Sequence, residues 1–124
     1  MFRRDRSYNV GLGVATAVAA KLREDPAPII AKARGQLPRI QEHVRGEAVR
    51  WVDEWATLLN GPLDELEHAL VRDDQHGASL RSVAPFAGVL DWDERVAALR
   101  SAIPNFPDVD DAATHEMRRK IAAL

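Results

Sequence analysis

The side chains that could do chemistry are few and scattered along the chain. There are four histidines, at His43, His68, His76 and His115. Glu65 and His68 form one E-x-x-H pair, which is half of the pattern that holds a di-iron centre in a helical bundle. Because such a centre needs a second pair and further glutamates, the single pair predicts a solvated helix face. Asp111 and His115, one helical turn apart, would need ligands from elsewhere, so we predict a surface pair and no metal site.

Other catalytic patterns are missing or lack their structural context. The chain has no cysteine, which excludes thiolate nucleophiles, disulfides and thiolate metal sites. The Gly11-Leu12-Gly13 string has no strand before it, so it predicts close helix packing or a frayed helix start rather than a dinucleotide site. No serine lies in a G-x-S-x-G elbow, and no lysine follows a phosphate-binding glycine loop. The adjacent carboxylates are expected to be exposed. We therefore expect no catalytic residue, no cofactor and no enzyme activity.

The elements that position these residues are predicted to be helices throughout. Apolar residues recur at spacings of three and four, and strand and hairpin signals are almost absent. The first helix is expected to begin near Ser7 or Asn9 and to end at Glu24. A second helix begins at Pro26, and Gly35 and Pro38 either kink it or end and restart it; the unbroken apolar stripe favours a kink. Two more helices flank Gly61-Pro62, a stop and restart signal.

The second half of the chain adds shorter elements. A helical turn is predicted over 74–81, followed by an apolar, buried loop over 83–90. Asp91 and Glu94 form a capping box at the start of the next helix. The apolar residues of that helix form the best amphipathic stripe in the chain: Trp92, Val96, Leu99 and Ile103. Residues 1–124 are thus predicted to form one all-α domain, a compact bundle of about six helices.

Three tryptophans and the C-terminal segment are the candidates for burial or partner contact. Trp55 and Trp92 fall on apolar stripes and are expected in the core. Trp51 lies off its stripe, so it is either a further core contact, which is favoured, or a partner-binding anchor. Pro104 and Pro107 form a linker before a last helix, and residues 104–124 are either a partner-docking tail or a helix packed on its own domain. The candidate partner contacts are Trp51, Phe86, Met117 and Ile121.

The charge is unevenly distributed. Residues 1–50 carry 10 basic and 5 acidic side chains, whereas residues 51–124 carry 7 and 14. The basic residues are dispersed, which favours solvated faces, but the arm 1–6, with Arg3, Arg4 and Arg6, would be the contact if DNA is bound. A helix-turn-helix over 74–99 is disfavoured because the second helix begins with acidic residues, which would repel phosphates. No apolar run is long enough to span a bilayer, and no secretory signal is expected.

One family resemblance covers about 50 residues, Arg50 to Leu99. The segment is similar to a W-x-x-L/LL-x-x-P-x-x-x-L pattern followed by L-R-x-x-x-P-F-A-G-V-L-x-x-x-E-R. The residues that match are Trp55, Leu58, Leu59, Pro62 and Leu66, then Leu80, Arg81, Pro85, Phe86, Ala87, Gly88, Val89, Leu90, Glu94 and Arg95. This pattern resembles a family of small helical actinobacterial proteins that are similar to the antitoxin half of toxin–antitoxin pairs. Some members carry an N-terminal DNA-binding domain, and this chain lacks a recognisable one.

The resemblance implies a cytoplasmic, non-enzymatic protein that binds and neutralises a cognate toxin. The alternative function is a DNA-binding transcriptional regulator that uses the basic N-terminal half. A homodimer is a further assembly that the sequence allows, and no membrane partner is expected. The apolar loop 83–90 is a second candidate docking surface besides the tail, although so many apolar residues in one loop are more typical of a cap on the core.

Overall fold

The computed structural model describes residues 5–102, which form six α-helices and contain no strand. In chain order the helices are α1 (Arg6–Glu24), α2 (Pro26–His43), α3 (Ala48–Leu59), α4 (Leu63–Leu70), α5 (Gln75–Arg81) and α6 (Trp92–Ala102). The all-α bundle of about six helices is therefore confirmed. The Pro104–Pro107 linker and the last predicted helix lie outside the described residues.

The helix ends follow local sequence signals, with one correction. α1 is capped by Asp5, whose carboxylate accepts a 2.9 Å hydrogen bond from the backbone N–H of Tyr8, rather than by Ser7 or Asn9. α2 begins with Pro26 and continues through Pro38, so the chain does not restart there. The stop and restart at Gly61-Pro62 is confirmed, since α3 ends at Leu59 and α4 begins at Leu63.

The core lies where the first five helices meet, and its side chains are aliphatic apart from Trp55 and Phe86. Trp55 is fully buried, and no polar or charged side chain in the described residues is buried. The largest fully buried side chains around it are Leu22, Leu66, Leu70, Leu80, Val52 and Pro85. Burial of these apolar groups, rather than of ion pairs, stabilises the fold.

The packing of α6 against α1 differs from the sequence expectation. Ala98 is the buried residue of α6, whereas Trp92, Val96 and Leu99 are half-buried, and Ile103 lies outside the described residues. The reason is the close approach of the two helices. A Cβ atom on Gly13 would lie 2.6 Å from the Cβ of Ala102 and 3.3 Å from the carbonyl oxygen of Ala98. Only small side chains fit between helix backbones this close together.

Candidate partner-binding site

The segment that carries the antitoxin resemblance forms a tightly held loop between α5 and α6. We call residues 85–90 the PFAGVL loop. Pro85, Phe86 and Val89 are buried, and Ala87 and Gly88 face solvent. The Phe86 ring packs edge-on against Trp55, with ring centroids 5.4 Å apart. The loop therefore caps the core, and Phe86, a candidate partner contact from sequence, is a core residue with only 8% of its surface exposed.

Three side chains from α1 and α2 hold the backbone of the PFAGVL loop. Lys21 Nζ donates a 2.9 Å hydrogen bond to the Val89 carbonyl oxygen, and Lys32 Nζ donates one of 2.7 Å to that of Gly88. Gln36 forms two bonds with Ala87, donating to its carbonyl oxygen at 2.6 Å and accepting from its N–H at 2.9 Å. These bonds satisfy polar backbone groups that no helix ladder serves, and so fix the conformation of the loop.

The polar residues that follow the loop also have structural partners. Glu94 accepts a 2.9 Å hydrogen bond from the N–H of Asp91, whose carboxylate accepts one of 2.8 Å from the N–H of Glu94, so the predicted capping box is confirmed. Glu94 Oε1 also lies 2.7 Å from Lys21 Nζ. The hydrogen bond from Asp91 N–H, and then that from Lys21, hold the pKa of Glu94 below its usual range.

Arg81, which precedes the loop, ties α5 to the end of α4 and to α1. Its Nη1 donates to the carbonyl oxygens of Leu70 at 3.2 Å and Arg72 at 2.8 Å. Its guanidinium carbon lies 5.2 Å from the ring centroid of Tyr8, a cation–π contact. The hydroxyl of Tyr8 donates in turn to Asp73. Burial, and then the hydrogen bond to Asp73, raise the pKa of Tyr8, so the phenol is a structural donor rather than a base.

An open, mostly apolar groove lies beside the stretch that joins Arg81 to the PFAGVL loop. We call it the α2–α5 groove; its volume is about 500 Å³, and it is lined by Arg39, Ile40, His43, Val44, Ser82, Val83 and Ala84. The four apolar residues of the lining are half-buried, and Arg39, His43 and Ser82 are exposed. The volume lies within the range of clefts that receive ligand or partner side chains.

Sequence reasoning did not find this groove. The feature of the sequence that indicates the groove is the apolar stripe of α2. Ile40 and Val44 continue that stripe beyond Ala33, the last buried residue of the helix. The other wall comes from Val83 and Ala84, which are distant in sequence, and only the fold brings the two segments together.

The other predicted contact residues lie elsewhere. Trp51 is half-buried against the core, and its ring meets that of His76 edge-on at 5.0 Å, so the favoured core placement describes it better than a free anchor does. Arg6 is exposed in the first turn of α1. Met117, Ile121, Arg3 and Arg4 lie outside the described residues.

The ionisable groups of the described residues do not assemble a metal centre. No group of three or more His, Cys, Asp or Glu side chains in 5–102 could hold a metal ion. Glu65 and His68 are both exposed, as the sequence predicts. His76 Nε2 and Glu54 Oε2 lie 2.7 Å apart in a half-exposed pair beside Trp51.

Two further observations bear on the class of protein. Among residues 5–102, no helix combines the length and the apolar character that crossing a membrane requires. Comparison of the chain with protein-family models, with curated proteins and with solved structures finds no match.

Proposed function

We propose that this chain is an antitoxin-like protein that neutralises a cognate toxin by direct, stoichiometric binding. The observation that carries the proposal is the construction of the segment from Leu80 to Arg95, which resembles the antitoxin pattern. Its backbone is held by three side chains of α1 and α2 and lies beside the α2–α5 groove. A surface that is rigid before binding loses less conformational entropy when a partner docks.

The charged residues of the segment support a binding role over a catalytic one. Arg81 bonds to the carbonyl oxygens of Leu70 and Arg72, and Glu94 bonds to its own helix start and to Lys21. Both side chains therefore serve to shape the segment. We infer that the segment presents to a partner an apolar surface of fixed shape.

The proposal places the protein in the cytoplasm, where a toxin that acts on the host cell has its targets. Residues 104–124, with Met117 and Ile121, remain a sequence-based second contact, because a helix with an apolar edge can dock into a groove on a partner. The two contacts are separable by experiment, since the groove belongs to the described domain and the tail follows Pro104.

The test is growth rescue in a bacterial host. The gene next to the one that encodes this chain is induced alone and then together with this chain. The complex of the two proteins is measured by size-exclusion chromatography with light scattering. We expect the neighbour to stop growth, the chain to restore it, and the two proteins to elute together. A harmless neighbour, or a toxic one that this chain leaves active, would refute the proposal.

A matched pair of variants locates the contact. Val44→Glu puts a charge into the floor of the groove, whereas Val49→Glu puts the same charge on a valine that is 43% exposed and does not line it. We expect Val44→Glu to lose rescue and Val49→Glu to keep it, because a carboxylate in the floor removes apolar contact surface and must lose its hydration when a partner docks. Circular dichroism establishes that both variants are folded.

A further inference from the structure

We infer that the partner segment received by the α2–α5 groove is acidic and amphipathic, with aliphatic side chains for its floor and carboxylates for its rim. This inference rests on the proposed function, since it specifies the chemistry of the partner at the same surface. It is carried by the combination of an apolar floor, a basic rim and a rigid wall in one groove.

The floor of the groove consists of aliphatic side chains from two sides. Ile40 lies in the last turn of α2, Val44 directly follows that helix, and Val83 and Ala84 come from the stretch after α5. All four are half-buried, so the domain leaves part of their apolar surface in contact with water. Aliphatic side chains of a partner would remove that surface from water, which is the main favourable term in association.

The rim of the groove is basic. Among residues 5–102, the charged or titratable residues in its lining are Arg39 and His43, and no carboxylate of this range lines it. Arg45 adds a guanidinium next to it, bonded to the carbonyl oxygens of Glu42 at 3.0 Å and Val44 at 2.7 Å. Because a guanidinium pairs with a carboxylate through two parallel hydrogen bonds, this rim favours an acidic segment. A basic segment would meet Arg39 with no acidic group among the described lining residues to compensate.

The wall of the groove is fixed at both ends. Ser82, Val83 and Ala84 lie between Arg81, which is bonded to the end of α4, and Pro85, which is fully buried. Within the wall, the N–H groups of Val83 and Ala84 donate to the carbonyl oxygens of Leu80 and Arg81. The wall is therefore rigid before a partner binds. The residues of the floor and the rim then determine which partner binds.

The experiment uses the full chain, labelled with ¹⁵N, and two synthetic amphipathic peptides of equal length. Both carry leucine at the same helical positions, and the remaining positions carry glutamate in one peptide and lysine in the other. We expect the glutamate peptide to shift the amide signals of Ile40, Val44, Val83 and Ala84. Each exposed ion pair contributes up to about 1 kcal/mol, so the lysine peptide should bind more weakly than the glutamate peptide, by a factor of up to about ten. The affinity of the glutamate peptide should fall as salt is raised.

A double substitution, Arg39→Glu with His43→Glu, which puts a carboxylate at both rim positions, provides the decisive control. Both side chains are exposed, so the variant keeps its fold, and its preference between the two peptides should reverse. Equal binding of both peptides to the wild type, shifts confined to residues outside the groove, or an unchanged preference in the variant would each overturn the inference.

The outcomes separate this inference from the proposed function. If the chain silences the neighbouring toxin and the double variant silences it equally well, the antitoxin function stands and the acidic partner segment is wrong. If the neighbour is unaffected by the chain but the glutamate peptide fills the groove selectively, the function fails and the inference about the groove stands.

Discussion

The indole Nε1 of Trp55 donates a 2.7 Å hydrogen bond to the carbonyl oxygen of Leu80, and both residues are fully buried. This bond joins the middle of α3 to the end of α5, directly before the wall of the α2–α5 groove. The same oxygen accepts from the N–H of Val83 at 3.2 Å. The carbonyl group of Leu80 thus connects the core to the proposed docking surface. Loss of the indole donor should therefore disturb both.

Replacement Trp55→Phe should lower the free energy of unfolding by about 2 to 4 kcal/mol, because it removes a buried hydrogen bond and leaves a cavity. Urea unfolding followed by circular dichroism measures this change. Trp51→Phe is the matched control; its ring lies half-buried at the margin of the core and meets His76 edge-on, so we expect a loss of about 1 kcal/mol or less. Equal losses in the two variants would contradict the assignment of Trp55 as the central core residue.

The two glycines of α1 should respond in opposite ways to alanine. A Cβ at Gly13 would lie 2.6 Å from the Cβ of Ala102, so Gly13→Ala must move α1 away from α6 and should cost about 1 to 3 kcal/mol. A Cβ at Gly11 would meet no atom of the described residues within 4 Å, so Gly11→Ala should stabilise the helix by about 0.5 to 1 kcal/mol. Thermal unfolding of both variants gives the comparison. A melting temperature that rises for Gly13→Ala would show that the helices are not this close.

Much of the fold could be predicted because short sequence patterns determine where its helices begin and end. The capping box of Asp91 and Glu94 and the glycine–proline break at 61–62 act within a few residues, and both are confirmed. The start of α1 was wrong because Asp5, Ser7 and Asn9 are all good capping residues, and propensity cannot rank them. The stripe of α6 was wrong because spacing indicates an apolar face but not the distance to the next helix, which selects Ala98 at the contact.

The candidate site was less accessible to sequence reasoning. The burial of the loop after α5 could be predicted from its apolar residues, and it is confirmed for Pro85, Phe86 and Val89. The bonds that hold the loop could not, because Lys32 and Gln36 are far from it in sequence and look like ordinary solvated side chains of α2. For the same reason the groove, whose walls come from two distant segments, appears only in the folded chain.

Replacement Arg81→Lys should destabilise the domain although it keeps the positive charge. Lysine cannot reproduce the two bonds from Nη1 to the carbonyl oxygens of Leu70 and Arg72 together with the contact over Tyr8. Hydrogen bonds from charged groups contribute about 1.5 to 3 kcal/mol, so we expect a loss of about 2 kcal/mol in chemical unfolding.

Arg23→Ala supplies the control for the arginine prediction. The Arg23 side chain is 71% exposed and lies 3.5 Å from Glu67, so its removal should change stability by less than about 1 kcal/mol. A larger effect at Arg23 than at Arg81 would mean that Arg81 does not hold the end of α4.

Stability should fall in acid, in part through Glu94. Its pKa is held below the usual range in the folded protein by the N–H of Asp91 and by Lys21, and the contacts that lower it are lost on unfolding. The unfolded chain therefore binds more protons as the pH falls through the ordinary glutamate range. The contribution of Glu94 is present above that range and is lost as the pH drops through the lowered pKa. Asp74 acts in the same direction, because Arg72 and the N–H of Gly77 lower its pKa.

The measurement for this acid effect is the urea midpoint between about pH 5 and about pH 3, in the wild type and in Glu94→Gln. Glutamine keeps the shape of the capping residue but cannot ionise, so the variant should lose less stability over this interval. At neutral pH the variant should be weaker than the wild type, since its ion pair with Lys21 is gone. Parallel pH profiles in the two proteins would contradict the role given to Glu94.

Hydrogen exchange should show that the PFAGVL loop is held locally by Gln36. Gln36→Ala removes both bonds to Ala87, and exposed bonds of this kind contribute about 1 kcal/mol each. The amide of Ala87 should then exchange about tenfold faster or more, while the amides of buried core residues such as Trp55 keep their protection. Gln41→Ala, at an exposed glutamine on the same helix, should leave the exchange of Ala87 unchanged. If the groove is the docking surface, Gln36→Ala should also weaken the binding of the glutamate peptide, because the wall of the groove leads directly into this loop.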